Sequence, residues 1–224
     1  MILLRRIVFV CLILSMSASV TLAQDKKAEI SVSAGYTWSS DIPVNPNVHV
    51  TGQIFNRAGP KSGFTWGFQG DYNASENFAV GFLFSSQESK LFANQLGVGE
   101  IDIVDMRIRN YHGVFTYNFG DEDQTVRPYV FGGLGATSYS PDSISVGNLT
   151  ADFDSRSKFS TTWGGGVKFF PSPSFGFKVQ GRWTPTHIKS EPAGIWCGPV
   201  YCFVASDASY SHQTEFTGGV IFRF

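Results

Sequence analysis

Ser211, His212 and Glu215 bring a hydroxyl, an imidazole and a carboxylate close together in the sequence. Hydrolases and acyltransferases use these three groups as nucleophile, base and orienting acid. The surrounding residues alternate between polar and apolar, which predicts a β-strand, and neighbouring residues of a strand point to opposite faces. Because Ser211 and His212 cannot then line one site, we predict no catalytic residues.

The histidines and the glycine run offer no site for a metal or a cofactor. His49, His112, His187 and His212 show no metal-ligand spacing. Residues 164–166 are all glycine but lie inside an alternating segment, so they predict close packing or a bend rather than a phosphate-binding loop. The formal charge of −1 gives no argument for a nucleic-acid partner.

The N-terminus has the layout of a secretory signal peptide. Two arginines precede an apolar run at residues 7–14, and small residues ending at Ala23 form a cleavage site. The apolar run is too short to span a bilayer as a helix. We therefore expect residues 1–23 to be cleaved and residues 24–224 to form one domain.

Cys197 and Cys202 are the cysteines that follow this signal. Export takes them to an oxidising compartment, where thiols form disulfides. Their spacing is not that of a Cys-x-x-Cys redox motif. The sequence favours a disulfide that stiffens the tip of a loop, with two free thiols as the alternative.

The mature chain alternates between apolar and polar residues with a period of two, which predicts strands. Short and long connections between the segments also alternate, as in an up-and-down membrane barrel with short periplasmic turns and long extracellular loops. An even number of strands places both termini in the periplasm. The predicted strands are residues 29–39, 63–72, 77–86, 107–119, 127–139, 158–170, 174–184 and 210–224.

Composition favours a membrane barrel over a soluble one. Aromatic residues make up 15% of the chain, while the mean hydropathy is −0.03. An apolar lipid face and a polar lumen give such an average. Four tryptophans fall near the long-loop ends of their strands, as in an aromatic belt. A soluble barrel stays the alternative, and the phase of the fifth strand, where Tyr129 and Phe131 oppose Val130 and Leu134, stays open.

Three parts of the chain resemble eight-stranded outer-membrane barrels of the OmpA/OmpX type. Residues 162–169 with 177–183 resemble the sixth and seventh strands of that family, and residues 127–135 resemble the fifth. Residues 216–224 are similar to the C-terminal strand that such proteins present to the barrel-assembly machinery. The resemblance implies an all-β, antiparallel eight-stranded barrel. The sequence departs from OmpA itself, in that we expect no peptidoglycan-binding domain. The implied assembly signal is Phe216, Val220, Phe222 and Phe224.

The strand phases predict a charged lumen. The lumen of an eight-stranded barrel is only wide enough for side chains to fill, and buried charges must be paired. We predict one layer that pairs Arg182 with Glu215 and a lower layer that combines Asp71 with Lys168 and Lys178. The resemblance supports charged positions at Lys168 and Lys178.

These features favour a monomeric outer-membrane barrel of structural or surface-interaction type with a plugged lumen. A small, low-conductance pore is the alternative, and a lipid A-modifying enzyme is a weaker one. Arg107 and Arg109 are expected at the outer rim, where they either bind lipopolysaccharide phosphates or form a simple solvated edge. The sequence does not identify an extracellular partner.

Overall fold

The computed structural model places most of the mature chain. It describes residues 27–43, 49–50, 53–95, 97–142, 144–146, 149–151, 155–188, 194–197, 202–205 and 210–224. The signal peptide predicted at residues 1–23 lies outside the described residues. No helix in the described part of the chain is long and apolar enough to cross a membrane.

Eight antiparallel strands form a closed barrel. The strands are β1 (Ala28–Ser39), β2 (Gly63–Asn73), β3 (Phe78–Gln95), β4 (Gly99–Asn118), β5 (Val126–Pro141), β6 (Arg156–Ser172), β7 (Phe175–His187) and β8 (Tyr210–Arg223). Each strand pairs with its neighbours in the sequence. β1 also pairs with β8, from Glu29 opposite Arg223 to Ser39 opposite Gln213, and this closes the sheet. The predicted fold class is confirmed.

The two ends of the barrel differ. At one end, residues 74–77, 119–125 and 173–174 make short turns, and this short-turn end also holds the start of β1 and the end of β8. The opposite end, here called the long-loop end, holds the longer connections. Gly120 adopts a φ of 81° in the β4–β5 turn, a conformation that favours glycine.

The burial of side chains alternates along the barrel strands, with the apolar residues outside. Phe115 is 55% exposed, whereas Lys168 is 1% exposed and Arg127 is fully buried. A soluble barrel would bury its aromatic residues and expose its charges. The inverse arrangement suits an outer surface in contact with lipid and a polar lumen.

The structure resolves the phase of β5. Arg127, Tyr129 and Phe131 point into the lumen, whereas Val130 and Leu134 lie on the outer face. The alternation was ambiguous because one wall of the lumen is itself apolar. Leu83, Val114, Tyr129 and Phe131 form a buried cluster along β3, β4 and β5.

β3 and β4 continue beyond the barrel as a long hairpin at the long-loop end. The strands predicted at residues 77–86 and 107–119 were too short, since β3 reaches Gln95 and β4 begins at Gly99. Gly97 and Gly99, with φ values of 86° and 109°, allow the tight turn between them. The strand Gln53–Pro60 pairs with the outer part of β3. Closer to the barrel, a buried cluster of Met106, Ile108 and Tyr139 joins β4 to β5.

Short paired segments occupy parts of the other long connections. They are Ile42–Pro43 and His49–Val50, which both pair with Gln53–Pro60, the hairpin Ile144–Val146 with Leu149–Ala151, and the hairpin Gly194–Cys197 with Cys202–Ala205. In the last hairpin, Cys197 lies directly opposite Cys202. Residues directly opposite on antiparallel strands are close enough for a disulfide to be considered. The disulfide stays a prediction.

We predict that Cys197 and Cys202 are oxidised in the exported protein. Alkylation of the denatured barrel should add no mass without a reducing agent and should modify both thiols after reduction. A Cys197→Ser variant, which leaves Cys202 alone, should be alkylated without reduction and serves as the control. Full alkylation of the unreduced parent protein would contradict the disulfide.

We predict that a charge on the outer face of the barrel is costly only where that face meets lipid. Val179 is 64% exposed in the middle of β7, and Val98 is 69% exposed at the tip of the β3–β4 hairpin. Val179→Arg should lower the free energy of unfolding in lipid vesicles by about 2–4 kcal/mol. Val98→Arg should change it by less than about 0.5 kcal/mol. Urea titrations followed by tryptophan fluorescence would measure both, and equal small effects would contradict lipid contact at Val179.

Candidate functional site

The lumen near the short-turn end is organised around one buried carboxylate, Glu29. Lys168 Nζ on β6 donates to Glu29 Oε2 at 2.5 Å, and Arg223 Nε on β8 donates to Oε1 at 3.1 Å. Glu29 is positioned on β1 by its register, directly opposite Arg223. Because β1 and β6 are not neighbours, the Lys168–Glu29 bond spans the lumen. The Arg223 guanidinium also lies 3.8 Å from the centre of the Phe170 ring.

The predicted lower layer has different partners. Lys168 pairs with Glu29 rather than with Asp71. The Asp71 carboxylate instead accepts two bonds of 2.9 Å from Gln69 Nε2, while Lys178 Nζ donates to Gln69 Oε1 at 2.6 Å. Gln69 therefore bridges the carboxylate and the ammonium group, and among the described residues no acid lies within ion-pair distance of Lys178.

Tyr129 supports both lysines from β5, the strand next to β6. Its hydroxyl donates to Gln180 Oε1 at 2.9 Å. The ammonium groups of Lys168 and Lys178 lie 5.2 and 5.5 Å from the centre of its ring. Such cation–π contacts stabilise a buried cation without adding a charge. Tyr129 thus serves as part of the polar network, although it belongs to the apolar wall.

The next layer toward the long-loop end contains the predicted Arg182–Glu215 pair. Arg182 Nη2 lies 2.7 Å from Glu215 Oε2, and the two residues are directly opposite on β7 and β8. The hydroxyls of Thr37 and Thr65 donate to the same carboxylate oxygen at 3.1 Å each. Arg182 also donates across the lumen to Ser85 Oγ on β3. Charged and neutral donors from β1, β2 and β7 therefore meet at one acid.

Neutral polar side chains fill the layer nearest the long-loop end. His112 Nε2 lies 2.9 Å from Ser160 Oγ, and Thr137 donates to Asn110 Oδ1 at 2.7 Å. His112 Nδ1 has no hydrogen-bond partner among the described residues. A histidine–serine pair without an orienting acid lacks one element of a catalytic triad. This contact joins β4 to β6 as part of the lumen packing.

The residues considered for catalysis are separated by the fold. On β8, Ser211 is buried in the lumen and His212 is exposed on the outer face, where its ring stacks on Trp183 at 5.5 Å. In the part of the chain that the structure describes, no group of three or more His, Cys, Asp or Glu side chains could hold a metal ion.

Two arginines that sequence reasoning left out close the short-turn end. Arg127 Nη2 donates to the carbonyl oxygen of Glu76 at 2.6 Å, in the β2–β3 turn. Arg223 Nη1 donates to the carbonyl oxygen of Glu122 at 3.1 Å, in the β4–β5 turn. The signal for Glu29 and Arg223 was present, since both share a strand face with polar residues. Arg127 was hidden by the ambiguous phase of β5.

The predicted assembly residues lie on the outer face of β8. Phe216, Phe222 and Phe224 are exposed there, and Val220 is partly exposed. Phe222 packs against Phe175 of β7, with 5.4 Å between the ring centres. This edge is continuous with the rest of the apolar surface. A role in recognition by the assembly machinery stays a prediction.

Outside the barrel, a charged cluster joins the strand Gln53–Pro60 to the β3–β4 hairpin. Lys61 Nζ lies 2.6 Å from Glu100 and 2.5 Å from Asp102, and Lys90 lies 3.8 Å from Asp102 and 3.6 Å from Asp105. The hydrogen bond with Asp102 raises the pKa of Lys61, and the same bond lowers the pKa of Asp102. These exposed pairs contribute little to stability.

A closed eight-stranded barrel with an apolar exterior and a charged, filled lumen defines an integral outer-membrane barrel. The chain belongs to the family described as outer membrane protein beta-barrel domain, whose model matches residues 8–224. No curated protein matches the chain.

Solved outer-membrane barrels have a similar fold. Neisserial surface protein A is 14% identical with a TM-score of 0.53, and the match covers 88% of this chain and 97% of that one. OprG from Pseudomonas aeruginosa is 11% identical with a TM-score of 0.53, covering 88% of this chain and 96% of that one. At such low identity these similarities establish the fold alone.

We predict that Glu29 is the most costly lumen acid to neutralise at the short-turn end. Glu29→Gln removes the carboxylate from both Lys168 and Arg223, so the free energy of unfolding should fall by about 3–5 kcal/mol. Asp71→Asn is the matched control, because among the described residues the donor to Asp71 is the neutral amide of Gln69, and it should cost about 0.5–1.5 kcal/mol. Urea unfolding in vesicles would measure both. A larger loss for Asp71→Asn would contradict the partners described above.

Proposed function

We propose that this protein is a structural or surface-interaction barrel whose lumen is plugged. The observation that carries this proposal is the set of hydrogen bonds between strands that are not neighbours. Lys168 reaches Glu29, Arg182 reaches Ser85, and Gln213 reaches Gln87. These bonds cross the lumen at successive levels. A solute could pass only after each level had opened.

The energetics of the lumen support the closed state. Breaking an ion pair such as Arg182–Glu215 leaves a buried charge without a partner, at a cost of about 3–5 kcal/mol. Thr37 and Thr65 further stabilise the Glu215 carboxylate in its present position. Opening would require several such groups to be solvated at once.

The low-conductance pore is the second candidate. The observation in its favour is the number of buried donors without a partner among the described residues, including Arg182 Nε and Nη1 and Arg127 Nε. Buried polar groups of this kind are usually satisfied by water. A chain of such waters could carry ions if the cross-lumen bonds opened. The lipid A-modifying enzyme is the weakest candidate, because Ser211 and His212 lie on opposite faces.

The proposed setting is the outer membrane of a Gram-negative-type bacterium. We place the short-turn end in the periplasm and the β3–β4 hairpin outside the cell, because barrels of this class have short periplasmic turns and longer extracellular loops. The barrel acts as a monomer after insertion by the barrel-assembly machinery. The hairpins of the long-loop end are then the surfaces that meet extracellular partners.

Planar-bilayer recording of the purified barrel tests the plugged lumen. The parent protein should give no conductance steps, because its cross-lumen bonds are intact. Arg182→Ala and Glu215→Ala should produce or increase conductance if these bonds are the barrier. Thr214→Ala, on the outer face beside Glu215, is the control and should stay silent. Steady conductance of the parent protein would favour the pore instead.

A further inference from the structure

The outer face of β4 changes from apolar to basic at the long-loop end. Tyr111, Phe115 and Tyr117 are exposed on this face, and Arg109 and Arg107 continue it beyond Tyr111. The alternate residues of the strand point inward and are buried. The two guanidinium groups therefore lie on the membrane side of the barrel wall, next to the aromatic surface.

Each of these arginines lies directly opposite a serine on β5. Arg107 pairs with Ser140 and Arg109 pairs with Ser138, and Ser138 in turn lies opposite Ser157 on β6. All five are exposed or partly exposed, and together they are called the rim patch. Residues directly opposite have Cβ atoms about 5 Å apart, and alternate residues of a strand are about 7 Å apart. This spacing lets two guanidinium groups and the neighbouring hydroxyls reach one tetrahedral anion.

No internal carboxylate occupies the rim patch. Glu88 on β3 lies directly opposite Arg107, yet among the described residues no acid lies within ion-pair distance of Arg107 or Arg109. Farther out, Lys90 on the β3–β4 hairpin and Lys61, which follows the strand Gln53–Pro60, do have acidic partners. Arginine in particular binds phosphate through paired hydrogen bonds.

The surface below the rim patch is apolar and open. Tyr111, Ala136 and Phe159 form the next row toward the short-turn end, followed by Gly113 opposite Leu134. A Cβ atom on Gly113 would meet only the carbonyl oxygen of Leu134, at 3.9 Å, so the surface is shallow there. An acyl chain can lie along this strip while its headgroup contacts the arginines.

We propose that the rim patch binds the phosphate of a membrane lipid headgroup, with a phosphomonoester as the preferred form. Two arginines match the double negative charge of such a group, and the serine hydroxyls donate to its remaining oxygens. The apolar strip next to the rim patch contacts the acyl chain of a lipid, so the site should bind a lipid more tightly than free phosphate. This inference does not depend on whether the lumen conducts.

The test is a calorimetric titration of the purified barrel in a neutral, phosphate-free detergent with dihexanoyl phosphatidic acid. Dihexanoylglycerol and inorganic phosphate are titrated in parallel. We expect saturable binding of the phosphatidic acid and at least roughly tenfold weaker binding of either probe alone. Equal affinity for inorganic phosphate would overturn the lipid assignment, and no saturable binding of phosphatidic acid would overturn the site itself.

Substitutions inside and outside the rim patch test whether binding occurs at this site. Arg107→Ala with Arg109→Ala should weaken phosphatidic acid binding at least roughly tenfold. Arg57→Ala with Arg156→Ala removes the same charge from exposed residues outside the rim patch and should leave binding unchanged. An equal loss in this control would show diffuse attraction and overturn the site.

Two further variants keep the test informative if the alanine pair folds poorly. Arg107→Lys with Arg109→Lys retains the charge but loses the paired hydrogen bonds, so its affinity should be intermediate. Glu88→Gln removes the acid opposite Arg107 and should strengthen binding severalfold. Heat-modifiable migration on gels checks the folding of each variant. Unchanged affinity in both would contradict the rim patch.

Discussion

Closure of the sheet is the constraint on which the rest of the structure depends. In hydrocarbon, every backbone N–H and C=O group has to find its partner within the protein, because water is absent. The pairing of β1 with β8 supplies the last set of partners. Closure with eight strands also gives the lumen a width that side chains can fill. One face of each strand then meets lipid, and the other meets its counterparts across a narrow interior.

The chemistry of the lumen follows from that width. Ionised groups with little access to water need partners, and the partners come from the opposite wall as well as from neighbouring strands. Glu29 accepts bonds from Lys168 and Arg223, so one acid serves two cations on different strands. Arg182, with Glu215 and Ser85, joins β7 to β8 and β3. Such bonds stabilise one register of the closed sheet, because a slipped strand would turn its charges toward lipid.

The sequence predicted the faces of the strands better than the partners within the lumen. Alternation alone placed Lys168, Lys178, Arg182 and Glu215 inside, and two of them, on adjacent strands, could be matched by height. The partner of Lys168 could not be found in this way, because a contact between β1 and β6 depends on the tilt and diameter of the closed barrel. The phase of β5 was ambiguous because Tyr129 is aromatic but points inward, where it contacts Gln180 and both lysines. The β3–β4 hairpin is longer than the predicted strands, since β3 and β4 remain paired out to Gln95 opposite Gly99, and the buried Met106 lies just outside the predicted fourth strand.

Two constraints act on the barrel wall: its outer face contacts lipid and its inner face fills the lumen. The side chains of such barrels are freer to vary at the long-loop end, where neither constraint applies. On the outer face of β4, residues 111–119 carry no charge, and Arg109 is the first charged side chain toward the long-loop end. At the next outward-facing position toward the short-turn end, which is occupied by Tyr111, an arginine would lie among aromatic side chains, where a charge is costly. Farther out, Lys61 and the hairpin residue Lys90 are already paired with acids. On the proposal that the rim patch binds a lipid headgroup, Arg109 lies where apolar contact ends and headgroups begin, and an unpaired cation there gains a partner that the protein does not supply.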